Sequence, residues 1–189
     1  MQKVISLFQR NYDTDRLVRD EVTPGAEWAH EDFGGIATQK HDGTCCMIED
    51  DQLFRRYEVK PGKTPPTGFR PACEVDPITG KQQGWVRVGE HPQDAYHREA
   101  FDALVDRADG TYELCGPKIQ GNPEHLDSHV LIPHGSVVLD APRTFEGLKS
   151  WLAGQDIEGI VWHHSDGRMV KIKTKDFGLR RSCRETASR

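Results

Sequence analysis

The chain has 189 residues, of which 35% are hydrophobic and 29% charged, and its formal net charge is −5. It is long enough to bury a core of its own and too apolar for a disordered segment. The acidic balance argues against binding nucleic acid through the whole surface, so any such contact must be local. Five cysteines without a CxxC pair, no signal peptide and no apolar run of membrane-spanning length lead us to expect a cytoplasmic protein.

The first sixty residues are predicted to form short strands. Short runs that contain apolar residues are separated there by polar turns. The next segment, residues 60–84, is rich in proline and glycine and predicts a long loop. A loop of this length in a compact domain is usually functional or mobile. The predicted strands are 4–8, 17–22, 36–39, 44–49 and 52–59.

Two helices are predicted in the remainder. Residues 94–108 carry apolar side chains at helical spacing, and Thr144 is a candidate cap for a second helix that buries Leu148 and Leu152. Many strands with two helices indicate an α+β fold, with mostly antiparallel sheets and the helices packed on them. The further predicted strands are 85–88, the run after the turn in DGTYELCG, 136–140, and EGIVWHH and RMVKIK around an SDG turn.

The stretch IATQKHDGTCCMIED, residues 36–50, places Lys40, Asp42 and Gly43 at the junction of two predicted strands. A solvated lysine in a surface hairpin explains this stretch when it is considered alone. We interpret the following Cys45 and Cys46 as small core residues. The alternative for Lys40 is a lysine that carries out chemistry, and the later segments bear on that choice.

Three later segments place charged residues within or at the start of predicted strands. Glu113 lies in the middle of the strand YELCG, where burial of a charge is costly unless it is used. Glu158 opens the strand EGIV. Lys171 and Lys173 lie on the same face of the strand VKIK because strand side chains alternate. His163 and His164 adjoin a turn, and we interpret them as solvated side chains.

In this order, KHDG (40–43), YELCG (112–116), EGIV (158–161) and KIK (171–173) resemble the first, third, fourth and fifth motifs of covalent nucleotidyltransferases. This superfamily comprises RNA ligases, DNA ligases and mRNA capping enzymes. The segments TYELCGPKIQGNPE and EGIVWHHSDGRMVKIKTKDFGL are most similar to RNA ligases, in particular to a small single-domain group. The similarity runs from about residue 7 to residue 179, and the four motifs together are specific.

The resemblance implies a nucleotidyltransferase (adenylation) domain over residues 1–180, which includes the 60–84 loop. Its fold would be two antiparallel β-sheets flanked by helices, with the nucleotide between the sheets. A basic tail, residues 181–189, would follow, without a separate C-terminal domain. A monomer is the expected oligomeric state.

The resemblance further implies that Lys40 accepts AMP from ATP. A free lysine has a pKa of about 10.4, so this amine must be deprotonated by its surroundings. Neighbouring cations and partial burial lower a lysine pKa. Lys171, Lys173 and a bound Mg²⁺ (or Mn²⁺) would supply such a field and stabilise charge on the phosphoryl oxygens.

The same resemblance assigns the remaining site residues. Glu113 and Glu158 would hold the metal through waters, since Mg²⁺ keeps much of its hydration shell; a contact of Glu113 with the ribose stays open. Arg55 would contact the ribose or an incoming 5′-phosphate, with Arg56 as the alternative. Val138 and Leu139 stand where many relatives have an aromatic residue that stacks on adenine. The other implied nucleotide contacts are Thr38, Gln39, Asp42 and Gly43.

The predicted activity is therefore an ATP-dependent RNA ligase that joins a 5′-phosphate end to a 3′-hydroxyl end of RNA. A DNA ligase or a GTP-using capping enzyme is an alternative, although those families usually carry an OB-fold after the fifth motif. A nucleotide-binding or RNA-binding protein without turnover is an alternative of another class. The intact lysines and glutamates argue against it.

Overall fold

The computed structural model describes residues 4–30 and 34–181. The chain divides into two compact units. We call Asp42–His134 the Glu113 unit, and Val4–His41 together with the chain from Gly135 onward the Lys40 unit. None of the helices in the described ranges has the length and apolar character needed to cross a lipid bilayer.

Strands outnumber helices, which confirms the predicted α+β class. Two single-turn 3₁₀ helices, Pro92–Asp94 and Thr174–Phe177, accompany them. The helices are α1 (Glu27–His30), α2 (Ala95–Ala103) and α3 (Phe145–Ala153). The strands are β1 (Ile5–Ser6), β2 (Phe8–Arg10), β3 (Val18–Val22), β4 (Ile36–Lys40), β5 (Thr44–Glu49), β6 (Gln52–Val59), β7 (Arg70–Pro71), β8 (Gln82–Arg87), β9 (Gly110–Cys115), β10 (Val130–Pro133), β11 (Gly159–His163) and β12 (Met169–Lys173).

The Lys40 unit is built on a four-stranded sheet in the order β1-β12-β11-β4. Its inner face buries Ile160, Trp162 and Ile172 against helix α3 and the hairpin β2-β3. The predicted cap of α3 is confirmed, since the Thr144 hydroxyl accepts a hydrogen bond from the Gly147 amide at 3.3 Å. Burial along β12 alternates, so Lys171 and Lys173 share the outer face.

The Glu113 unit is built on a six-stranded sheet in the order β10-β9-β5-β6-β8-β7, all antiparallel. One face packs Cys46, Ile48 and Leu114 against Ala100 of helix α2. That packing confirms Cys46 as a core residue. Cys45 points to the opposite face, which we call the Glu113 face. Directly paired residues share a face, and Cys45 pairs with Glu113.

The sheet layout departs from two antiparallel sheets. Strands β1 and β12 pair in parallel, and the hairpin β2-β3 forms a third sheet. The predicted strand 4–8 is split at Leu7, which is fully buried. The Leu7 amide donates to Lys171 O at 2.7 Å, and the Leu7 carbonyl accepts from the Thr23 amide at 2.9 Å. One continuous segment therefore passes from one sheet to the next at this residue.

The predicted strand 136–140 is wrong. It follows β4 through two backbone hydrogen bonds, yet only Val138 forms a β-bridge, to Thr38. The chain then leaves the sheet because Pro142 has no amide hydrogen and Arg143 donates to the carbonyl oxygens of Ala29, Gly34 and Gly35. The neighbouring sequence prediction missed β10, whose four residues give too short a pattern to identify.

The predicted helix 94–108 is shorter than expected and ends at Ala103. Leu104 has extended backbone angles, and Val105 is fully exposed rather than facing inward. Contacts to the β5–β6 turn draw this segment away from a helical path. Asp109 accepts a hydrogen bond from the Asp50 amide at 3.0 Å, and Arg107 pairs with Asp51 at 3.3 Å.

The 60–84 segment is mostly loop, with only β7 and the start of β8 within it. Most of the predicted basic tail, residues 182–189, lies outside the described residues. Its first residue, Arg181, pairs with Asp156 at 3.1 Å. The single adenylation domain over residues 1–180 stays a prediction.

Candidate active site

Sheet register brings the lysines of the Lys40 unit together. Lys40 ends β4 directly opposite Gly159, and Gly159 is paired on its other side with Lys173. Two residues further along, Thr38, Val161 and Lys171 form a second row. Paired residues share a face, so these side chains all lie on what we call the Lys40 face of the four-stranded sheet.

Glu158 joins two of the lysines. Its Oε2 lies 2.5 Å from Lys40 Nζ, and its Oε1 accepts a hydrogen bond from Lys173 Nζ. Glu158 is 7% exposed, whereas the two lysine side chains are about one fifth exposed. Burial alone raises the pKa of this carboxyl, but the charges and hydrogen bonds of the two lysines outweigh burial and lower its pKa. Glu158 is therefore an anion at neutral pH.

Lys171 lies beside this network on the same face of the sheet. Burial, reinforced by the nearby charges of Lys173 and Lys40, lowers the pKa of Lys171 from 10.5 to about 8. The carboxylates of Glu158 and Asp176 act in the opposite direction. A lysine with this pKa marks a surface built to receive negative charge.

Two supporting residues hold the lysines in place. Gly159 has no space for a side chain, because a Cβ there would lie 2.1 Å from Ile172 O. Asp176, which is 1% exposed, accepts a hydrogen bond from the Lys173 amide at 3.0 Å and pairs with Arg10 at 2.5 Å. Sequence reasoning missed Asp176, although it lies three residues beyond the fifth motif.

The predicted nucleotide contacts Thr38 and Gln39 lie on opposite faces of the four-stranded sheet. The Thr38 hydroxyl lies on the Lys40 face, donating to Val161 O at 3.2 Å and lying 3.0 Å from His163 Nε2. His163 therefore contacts a candidate site residue instead of being merely solvated. Gln39 points to the inner face by strand alternation, and its amide nitrogen lies 3.3 Å from His41 Nδ1. The structure does not bring the Gln39 side chain to the lysines.

In the Glu113 unit, the start of the chain after Lys40 is fixed by two glutamates. The Asp42 amide donates to Glu124 at 3.0 Å, and the Gly43 amide donates to Glu113 at 3.1 Å. Position 43 requires glycine because a Cβ would lie 2.2 Å from Leu114 O. The last residue of KHDG is therefore fixed as glycine by its close approach to β9.

Glu113 is buried, with 7% of its surface exposed, and its second oxygen lies 2.9 Å from His134 Nε2. The other ring nitrogen of His134 lies 2.9 Å from the Thr111 hydroxyl. Sequence reasoning missed His134, since β10 itself was missed. With β10 known, strand alternation would have placed His134 beside Glu113.

The two arginines of β6 have opposite faces. Arg55 pairs with Cys46 and lies on the α2 side, where its Nε donates to buried Asp94 at 2.9 Å. Arg56 lies on the Glu113 face, with its Nε 3.0 Å from Gln83 Oε1 and its guanidinium 5.2 Å from the centre of the Trp85 ring. The structure therefore places Arg55 on the α2 side and Arg56, the alternative candidate, on the Glu113 face; which of them contacts the nucleotide or the RNA stays a prediction.

Comparison with known proteins identifies the family. The family model for RNA ligase 1 matches residues 88–188, more than half of the chain. RNA ligase 1 of Danio rerio is 37% identical, with 91% of this chain and 76% of the relative aligned. RNA ligase 1 of Pongo abelii and of Mus musculus are 28% and 27% identical, each over 78% of this chain and 68% of the relative. The chain belongs to the RNA ligase 1 family.

Proposed function

We propose that this protein is an ATP-dependent RNA ligase that works through a lysyl-AMP intermediate on Lys40. Family membership supports the ligase activity and RNA as the substrate. The observation that carries the mechanism is the network of Lys40, Glu158 and Lys173, with Lys171 beside it on the same sheet face. One buried carboxylate holding two lysine ammonium groups is a site prepared for an anion that brings several charges.

The first step needs a neutral amine at Lys40. In the free protein Glu158 is a poor base because two ammonium groups lower its pKa. A bound triphosphate offers Lys171 and Lys173 a second anion to pair with. Once Lys173 turns to the phosphates, burial dominates at Glu158 and raises its pKa, so that this carboxylate can take the proton from Lys40 at 2.5 Å.

Three bond exchanges then follow. The Lys40 amine attacks the α-phosphate of ATP; the new N–P bond replaces the bond to pyrophosphate, which leaves. An oxygen of the RNA 5′-phosphate attacks the same phosphorus, and the bond to Lys40 breaks. A 3′-hydroxyl finally attacks the activated 5′-phosphate, AMP leaves, and the hydroxyl proton passes to solvent or a base. Lys171 and Lys173 stabilise the charge on the phosphoryl oxygens throughout.

The proposal includes a divalent ion, Mg²⁺ or Mn²⁺, which would neutralise phosphate charge. Glu158 in the Lys40 unit and Glu113 in the Glu113 unit are the carboxylates proposed to hold it. Both oxygens of Glu158 are hydrogen-bonded to lysines. Glu158 would therefore bind the metal through a water molecule, once the nucleotide has drawn a lysine away. Glu113 fits more readily, since its partners are a backbone amide and an imidazole.

Adenosine is proposed to lie along β4 on the Lys40 face. Thr38 supplies a hydroxyl there, and Val138, which is 67% exposed, lies opposite it. A cavity of about 630 Å³, lined in part by Ile36, Val138 and Asp140, adjoins this segment. Val138 would offer the adenine an aliphatic contact where many relatives have an aromatic one.

Intact-mass measurement tests this function. The protein is incubated with Mg²⁺ and ATP, GTP or NAD separately, beside Lys40→Ala and the control Lys149→Ala, an exposed lysine on α3. We expect an AMP adduct from ATP in the wild type and in the control but not in Lys40→Ala. A GMP adduct would favour a capping enzyme, and an AMP adduct from NAD would favour a DNA ligase. The absence of any adduct, from a protein whose starting mass excludes prior adenylylation, would favour a binding protein.

A further inference from the structure

Three metal-binding side chains converge on the Glu113 face, apart from the lysine network. One ligand atom each from Cys45, Glu113 and His134 lies within 4.8 Å of the others. Cys45 in β5 pairs directly with Glu113 in β9, and His134 follows β10 opposite Thr111. Three neighbouring strands therefore deliver a thiol, a carboxylate and an imidazole to one place.

We propose that Cys45, Glu113 and His134 bind a borderline divalent ion of the Zn²⁺ type. Thiolate and imidazole ligands favour Zn²⁺ and Co²⁺ over Mg²⁺, which prefers oxygen alone. Zinc bonds of about 2.0–2.3 Å place tetrahedral ligand atoms roughly 3.4 Å apart. The present distances, 2.9 Å between Glu113 and His134 and at most 4.8 Å within the cluster, lie on either side of that value, so small side-chain rotations suffice. Three protein ligands leave the fourth position for water or another group.

The neighbours of the cluster are suited to metal binding. The Gly43 amide holds one oxygen of Glu113 at 3.1 Å and so fixes the direction of the carboxylate. The Thr111 hydroxyl lies 2.9 Å from His134 Nδ1. A hydroxyl can donate or accept, so Thr111 can accept a hydrogen bond from Nδ1–H when Nε2 binds a metal. Partners of this kind orient a ligating histidine and set its tautomer.

Occupancy of this site has a consequence for ligation, and this consequence, unlike metal binding itself, rests on the function proposed above. A zinc ion at Glu113 withdraws that carboxylate from Mg²⁺ or from the ribose. Zinc is therefore expected to lower the yield of ligated RNA at constant Mg²⁺. The inhibition should weaken when Cys45 is replaced, with each protein compared with itself in zinc-free buffer.

Cobalt absorption tests the site on the full chain after treatment with a chelator. Co²⁺ should produce a thiolate charge-transfer band and the intense visible bands of four-coordinate cobalt, and Zn²⁺ should abolish both. Cys45→Ser should remove the charge-transfer band, and His134→Asn should weaken cobalt binding by at least about tenfold. The control Cys73→Ser, a half-buried cysteine of the same unit, should leave the spectrum unchanged.

A wild-type spectrum without a thiolate band, or a band that survives Cys45→Ser, would overturn the site. The intact-mass experiment separates this failure from that of the proposed function. A cobalt spectrum that depends on Cys45, with no AMP adduct, leaves the metal site standing and removes the ligase mechanism. An AMP adduct without the thiolate band does the reverse.

Discussion

Glu158 and Glu113 are both buried glutamates with 7% exposure, yet their partners differ in kind. Glu158 is held by two ion pairs, to Lys40 and Lys173. Glu113 is held by a backbone amide and an imidazole, which can be neutral and can bind metals. The same side chain thus serves an anion-receiving cluster in one unit and a cation-receiving cluster in the other.

The two glutamates also differ in which groups lose a partner when the glutamate is removed. Without Glu158, three lysines on one sheet face lose their shared anion. Without Glu113, His134 and Gly43 each lose one hydrogen-bond acceptor. The first loss is electrostatic and large, whereas the second is local and small.

The largest effect is expected from Glu158→Gln. Removing one partner of a buried ion pair costs about 3–5 kcal/mol, and the partly exposed lysines place the expected loss near the lower bound. AMP-adduct formation should also fall by at least about 100-fold, because Lys40 loses its holder and proton acceptor. Urea unfolding and intact mass measure the two effects.

Glu113→Gln is the matched comparison. It should lower the free energy of unfolding by only about 1 kcal/mol, since glutamine keeps one acceptor oxygen. Equal losses in the two variants would mean that the ion pairs of Glu158 stabilise the fold no more than the hydrogen bonds of Glu113. Glu158 should also stop contributing when the wild type is acidified: its pKa is lowered by folding, so its stabilisation is present above pH 4.5 and is lost as the pH falls further.

Lys171→Met is expected to stabilise the protein while abolishing ligation. Folding lowers the pKa of Lys171 from 10.5 to about 8, so the charged form is disfavoured in the folded state. Below pH 8 this costs at most about 3 kcal/mol. The cost shrinks as the pH rises from 8 to 10.5, because the unfolded chain binds the proton more tightly, and it vanishes above that range.

Unfolding measurements at pH 7 and at the highest pH the fold tolerates check this prediction. The stability gain of Lys171→Met should be larger at pH 7. A loss of stability at pH 7 would mean that the attraction to Glu158 and Asp176 exceeds the cost of burial. Lys149→Met, on an exposed position of α3, serves as the control and should change stability little.

The local sequence pattern was enough to place Lys171 and Lys173 on one face of their strand. Strand alternation alone predicts that Lys171 and Lys173 share a face, and β12 confirms it. The pairing of Lys40 with Gly159 and the position of His134 depend on strand register between distant segments. A local pattern carries no such register, which is why the cluster of Cys45, Glu113 and His134 was not predicted.

The sequence could not assign Arg55 and Arg56 to faces of the sheet, for a related reason. Both faces of β6 carry apolar and polar side chains. Alternation therefore predicts that the two arginines point to opposite faces, but not which of them points toward helix α2. The structure settles it through the neighbouring strand, where Cys46 is buried against α2 and Cys45 is not. Burial in a partner strand, rather than in the strand itself, fixes the face.

The smallest effect on activity is expected from the two arginines, and it sharpens the comparison of faces. Arg55→Ala should lower stability by about 2 kcal/mol, because buried Asp94 loses its guanidinium and keeps the Gly89 amide. Arg56→Ala should change stability less, since Arg56 contacts the uncharged side chains of Gln83 and Trp85 and is partly exposed. It should instead lower RNA ligation by about tenfold, the loss of one charge-assisted contact to a phosphate or ribose.

Ligation rates per folded molecule, with unfolding curves for both variants, measure these two effects. A ligation loss in Arg55→Ala that exceeds the one in Arg56→Ala would return the functional role to Arg55 and would mean that the α2 side of the sheet, not the Glu113 face, receives the RNA.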